Sequence, residues 1–154
     1  MNSYSQKMSE NLKFHAVDIG FGFFLNKNFG GISAHSGIAL KNKNNLYAFT
    51  IIAGGELNIL DGTTASFEEY NLQYGRQLKL AKWITFEGFT GIGYYNQDSS
   101  KSNVIDNSSL SFPLKLNTKI NFSKRFGMGF MNNYSISKMN NNFTTHLLFH
   151  YNFN

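Results

Sequence analysis

Cysteine is absent from the chain, which excludes a disulfide scaffold, a thiol nucleophile and a cysteine-based zinc site. That absence is compatible with an oxidising compartment. Proline occurs once, at Pro113, and tryptophan once, at Trp83. Charged residues make up only 15% of the 154 residues. No apolar run is long enough for a membrane helix, because the longest, Val17 to Leu25, is short and carries Asp18 and two glycines. Mean hydropathy is −0.30, in keeping with that. The first ten residues, Met1 to Glu10, are polar and hold no hydrophobic stretch of the secretory-signal kind. We expect them to form an extension before one domain over 11–154.

Aromatic residues are abundant, with 16 Phe and 8 Tyr, and there are 14 Gly. Disordered chains lack aromatics, so this mixture favours strands joined by polar turns. The net charge is +5. Its basic residues sit largely in turn positions (Lys41, Lys43, Lys79, Lys82, Lys124 and Arg125) rather than along one basic stripe. The footprint expected of a nucleic-acid binder is missing. Anionic lipid headgroups at a membrane rim suit such charges better.

Apolar and polar residues alternate with a period of two in eight segments, which predicts eight strands. They span roughly 12–25, 31–41, 46–60, 66–80, 83–96, 110–122, 126–136 and 143–154. The sixth is the cleanest: Leu110, Phe112, Leu114, Leu116, Ile120 and Phe122 oppose Ser111, Lys115, Asn117, Lys119 and Asn121. The last sets Phe143, Leu147, Phe149, Tyr151 and Phe153 against Thr144, His146, His150 and Asn152. Connections after the second, fourth and sixth strands are tight, whereas most of those on the other side are longer and polar. An even strand number places both termini on one side, and short turns opposite longer loops are the pattern of an outer-membrane barrel.

Either face of such a sheet can look inward. A lipocalin-like soluble carrier would turn its apolar face in around a ligand. Here the glycines fall mainly on the polar face (Gly20, Gly22, Gly54, Gly91, Gly93, Gly127 and Gly129), and large aromatics crowd the other. Tyr47, Trp83, Phe86, Tyr94, Phe126, Tyr134, Tyr151 and Phe153 lie near strand ends, as an interfacial girdle requires. The expected fold is therefore all-β: an eight-stranded antiparallel up-and-down transmembrane β-barrel with a polar interior. Charges in so narrow an interior must be paired. Glu56, Glu69 and Glu87 are expected to face Lys115 and Lys119, with Asp18, His35 and His146 nearby, as a structural network that plugs the lumen.

The pattern resembles the small eight-stranded outer-membrane barrels of the OmpX and OmpA transmembrane-domain type. The ending Phe149-His150-Tyr151-Asn152-Phe153 resembles the C-terminal aromatic signal read by the outer-membrane assembly machinery, with Asn154 following the final Phe. The Asn-rich loops and the hairpin from Tyr74-Gly75-Arg76 to Gly91-Ile92-Gly93-Tyr94-Tyr95 resemble small barrels of Bacteroidota. The resemblance implies a bacterial outer-membrane location, membrane lipid and lipopolysaccharide as surroundings, the assembly machinery as a partner during biogenesis, and a monomer. A leader would then have been removed or lost.

No catalytic motif stands out, and no cofactor or metal is expected. His35 and Ser36 are strand neighbours and point to opposite faces. A cross-strand pair, His35 or His146 with Ser33 or Ser111, would be the start of a lipid hydrolase or acyltransferase of the lipid A-modifying kind, and it needs an orienting carboxylate. His146 and His150 share a face but stand about 13 Å apart, too far for one metal ion. Gly20-Phe21-Gly22 and Gly91-Ile92-Gly93 are not followed by a helix and are not phosphate loops. The expectation is a non-enzymatic barrel with a closed lumen and a role in envelope integrity, or in surface contact through the loops around Gly62, Gln97 to Ser109 and Ser137 to Asn142.

Overall fold

The computed structural model describes residues 12–56, 65–99 and 107–153. They form eight strands: β1 (Lys13–Asn26), β2 (Gly30–Asn42), β3 (Asn45–Glu56), β4 (Ala65–Lys79), β5 (Ile84–Ser99), β6 (Asn107–Asn121), β7 (Phe126–Ser137) and β8 (Asn142–Asn152). Each pairs antiparallel with its neighbours, and β1 pairs with β8 to close the barrel. The expected up-and-down topology is the observed one. Strands β5 and β6 run further than their alternation suggested and take residues from both sides of the loop expected over 97–109. The stretch around Gly62 and the N-terminal extension lie outside the described residues.

Alternation becomes burial along every strand. In β4, Ala65, Phe67, Glu69, Asn71, Gln73 and Gly75 are buried, whereas Ser66, Glu68, Tyr70, Leu72, Tyr74 and Arg76 are exposed. The exposed side carries the large apolar groups: Phe21 is 63% exposed, Leu72 62% and Leu110 67%. An apolar surface that continuous would be untenable in water and is what hydrocarbon requires. The lipocalin-like alternative, with its apolar face around a ligand, is therefore not the arrangement found. Around the end that carries both termini, Tyr47 packs on Tyr74 at 5.6 Å between ring centroids, Phe126 on Tyr151 at 5.0 Å and Tyr151 on Phe153 at 5.2 Å. These rings make the interfacial girdle at that rim.

The two ends of the barrel differ. At the turn end, β2 and β3 are joined by Lys43 and Asn44 alone, with Lys43 at φ 56°. In the β6–β7 turn the Ser123 hydroxyl accepts from the Arg125 and Phe126 amides at 3.2 and 2.9 Å. At the loop end, the Asn26 side chain accepts from the Asn28 and Phe29 amides, both at 2.9 Å, and folds 27–29 into a compact Asx turn.

Two irregularities aim side chains. A bulge in β1 between Phe14 and Ala16 turns both His15 and Ala16 inward. On β6, Pro113 cannot donate to the ladder, and the β5–β6 partners pass directly from Thr90–Leu114 to Gly93–Ser111.

Interior glycines make room for the polar side chains across from them. A Cβ on Gly37 would lie 2.6 Å from Asp18 Oδ1 and 3.2 Å from His35 Nε2. Gly37→Val is accordingly expected to cost about 1–3 kcal/mol by overpacking the lumen. Ser36→Val, one residue away on the lipid face, should leave the urea midpoint in micelles nearly unchanged, and equal effects at the two positions would contradict the inward placement of Gly37.

Candidate functional site

The inward-facing side chains of the described residues form three layers. Nearest the turn end is a charged layer. Lys119 Nζ lies 2.7 Å from Glu87 Oε2 and 3.7 Å from Asp18 Oδ2. His15 Nε2 approaches Glu87 Oε1 at 3.0 Å, and His35 Nε2 approaches Asp18 Oδ1 at 2.6 Å. Gln77 and Asn117 amides donate to Glu87 at 3.2 and 3.4 Å. All four charged or titratable partners of Lys119 and its carboxylates are nearly fully buried: His15, Asp18, His35 and Glu87. Burial of this many ionic groups is tolerated because each has an oppositely charged or titratable partner within ion-pair distance.

The middle layer is polar and of mixed partnership. Glu69, fully buried, accepts from the Ser111 and Ser135 hydroxyls at 2.7 and 2.8 Å, and Asn133 donates to Ser135 at 2.9 Å. Its partners are hydroxyls, not the lysines that the sequence suggested. Lys115 rests its ammonium on the Phe89 ring, 4.3 Å from the centroid, a cation–π contact in place of a carboxylate. His146 meets Ser33 at 2.8 Å, and its ring stands 5.9 Å from that of His35.

The third layer, at the loop end, is apolar, so the interior is not polar throughout. Phe24, Phe29, Ile52, Phe67, Tyr95 and Leu148 form its centre. Phe67 packs on Phe24 at 4.7 Å and stacks on Tyr95 at 5.6 Å. Above it, Asn140 donates to Gln97 at 3.0 Å and accepts from Asn28 at 3.2 Å, and Ser137 donates to the Asn140 carbonyl at 2.7 Å. The β7–β8 connection thus folds Asn140 into the mouth.

Of the residues singled out from sequence, Asp18, His35, Glu87 and Lys119 come together. Glu69, Lys115 and His146 occupy the same lumen with other partners. Glu56 ends β3 at the loop end, across the barrel's length from Lys119. Sequence reasoning missed His15, whose signal was a slip in phase: Leu12 and Phe14 are exposed at even positions, and Ile19, Phe21 and Phe23 at odd ones. Tyr95 was hidden beside Tyr94, since two adjacent tyrosines do not say which one turns inward. The Ser33–His146 pair has the distance of a nucleophile and base. However, no carboxylate reaches His146 Nδ1 among the described residues, and Ser33 is only 6% exposed. No group of three potential metal ligands is found among the described residues.

A closed eight-stranded antiparallel barrel, apolar outside and filled within, is the fold of the small outer-membrane β-barrels. Solved structures of that kind match over nearly the whole chain. Ail, the attachment invasion locus protein of Yersinia pestis, in complex with the heparin analogue sucrose octasulfate, superimposes with a TM-score of 0.66 at 15% identity, covering 92% of this chain and 99% of Ail. Neisserial surface protein A gives a TM-score of 0.69 at 8% identity, with 93% and 97% covered. The N-terminal β-barrel domain of Pseudomonas aeruginosa OprF gives 0.68 at 11%, with 90% and 98% covered. At these identities the likeness is one of fold. No protein-family description and no curated protein sequence matches the chain.

Proposed function

We propose that the protein is a non-enzymatic, monomeric barrel of the bacterial outer membrane with a closed lumen, serving envelope integrity or surface contact through its loop end. The filled interior carries this reading: paired ions, a hydroxyl-bound glutamate and an aromatic layer occupy successive levels of one narrow barrel. Eight strands leave space for side chains but not for a solute path. Short turns at the terminal end favour a periplasmic position for it, with the opposite end at the cell surface. The lipid around the belt would be phospholipid on the inner side and lipopolysaccharide on the outer, and insertion would run through the outer-membrane assembly machinery.

Purified protein should migrate as a heat-modifiable, detergent-dependent band and produce no conductance steps in planar bilayers. Folding in plain buffer, or discrete channel openings, would sink the proposal. The non-enzymatic part has its own check. Ser33→Ala, which breaks the Ser33–His146 contact of catalytic length, is expected to leave the mass spectrum of lipid A in expressing cells as it is in wild type.

A further inference from the structure

The charged residues are unevenly divided between the two ends. Lys27 and Lys138 share the loop end with Glu56, Glu68 and Asp98. The turn end opens into a basin of about 250 Å³ whose rim carries Lys41, Lys79, Lys82 and Lys124. Its floor is the buried Lys119–Glu87–His15 cluster, and Glu87 is the one carboxylate among the described residues lining it. Glu87 is already engaged by Lys119, His15, Gln77 and Asn117. It has little left to neutralise the rim.

The rim lysines are not accounted for by pairing. Lys41 donates to Gln77, a neutral amide, which holds its ammonium over the opening. Lys79, Lys82 and Lys124 are exposed and have no ion-pair or hydrogen-bond partner among the described residues. Four like charges around one concave mouth repel each other, and low-dielectric walls focus their field into the cavity. An arrangement of this kind lowers its energy by taking up an anion. Several lysine ammoniums are point charges that can converge on separate oxygens, which suits a phosphate bearing more than one acceptor better than a single carboxylate. The cavity is several water volumes in size, enough for one phosphate-bearing group.

We propose that this turn-end basin is a binding site for a phosphate-bearing anion, held by Lys41, Lys79, Lys82 and Lys124 at the lumen mouth. The same chemistry is offered by a phospholipid headgroup bent over the rim and by a soluble phosphorylated compound. The site extends the function proposed above and does not depend on the lumen being closed.

Pyrophosphate titrated calorimetrically into the full chain in maltoside micelles, which contain no phosphate, is the direct test. Saturable 1:1 binding that weakens steeply with salt is expected. Lys82→Ala/Lys124→Ala should weaken it at least tenfold. Lys27→Ala/Lys138→Ala changes net charge equally at the other end and should leave it unchanged. These four residues are exposed, so heat-modifiability should persist in both variants. The absence of saturable binding, or equal loss in the two double variants, would overturn the site. A second arm assigns the source, in nanodiscs of phosphatidylcholine with or without phosphatidylglycerol. Displacement of pyrophosphate by phosphatidylglycerol in wild type would support a lipid headgroup, and undiminished binding would support a soluble phosphate.

Discussion

Lys119→Met is expected to lower the stability of the folded barrel by about 3–5 kcal/mol, seen as a large fall in the urea midpoint in micelles. The size follows from what would be left behind. Lys119 is the ammonium between two buried carboxylates, at 2.7 Å from Glu87 and 3.7 Å from Asp18. Without it, Glu87 keeps His15, Gln77 and Asn117, and Asp18 keeps His35, but no permanent cation touches either. An uncompensated carboxylate beneath the barrel wall costs far more than an intact pair contributes. Lys119→Met/Glu87→Gln should therefore recover part of the loss, because the second change removes the orphaned charge, giving a coupling of about 1–3 kcal/mol. Lys115→Met supplies the contrast. Its ammonium lies over the Phe89 ring, so its removal strands no contacting carboxylate and should cost about 0.5–2 kcal/mol. A Lys119 effect no larger than that of Lys115, or strict additivity with Glu87→Gln, would show that the ionic layer does not bear on stability.

Much of this layer was legible in the sequence because period two is local. Asp18, His35, Glu87 and Lys119 sit on the polar side of clean alternations, and a closed barrel leaves one interior to share. Which charge meets which is a different matter. Partnership depends on the stagger of strands distant in the chain, and no residue pattern within one strand encodes it. Charge alone points Glu69 toward the lysines, whereas its oxygens accept from the hydroxyls of Ser111 and Ser135. Serine carries no charge to draw attention. Two further features follow from departures from alternation. Phe14 before Val17 marks the bulge that turns His15 inward. Phe24, Ile52, Phe67, Phe89 and Leu148 are apolar residues in polar registers. Singly they look like noise in the pattern, but the closed sheet brings Phe24, Ile52, Phe67 and Leu148 together as an interior layer.

Phe67→Ala tests that layer, and it should cost about 3–5 kcal/mol, the range for deleting a buried phenyl group. Phe67 is 2% exposed and lies between Phe24 and Tyr95, at 4.7 and 5.6 Å between ring centroids. Its neighbours are anchored in a closed ladder and cannot collapse into the gap, so the upper part of the range applies. The informative comparison is Phe23→Ala. Phe23 is the chain neighbour of Phe24, carries the same side chain as Phe67 and is 65% exposed on the lipid side. Acyl chains are fluid and refill the space it vacates, so its loss should be well below that of Phe67. In water the order would be easy to predict from burial alone; in a membrane it depends on which phase can flow. Matching urea midpoints for the two variants would mean that the interior aromatics pack no better than lipid does. Phe24→Ala/Phe67→Ala carries the test to permeability. Removing both rings opens the apolar layer but leaves the Lys119–Glu87–Asp18 layer in place, so the double variant should stay silent in planar bilayers. Conductance appearing in it would place the seal of the barrel in the aromatic layer alone, with the ions beneath it no barrier to passage.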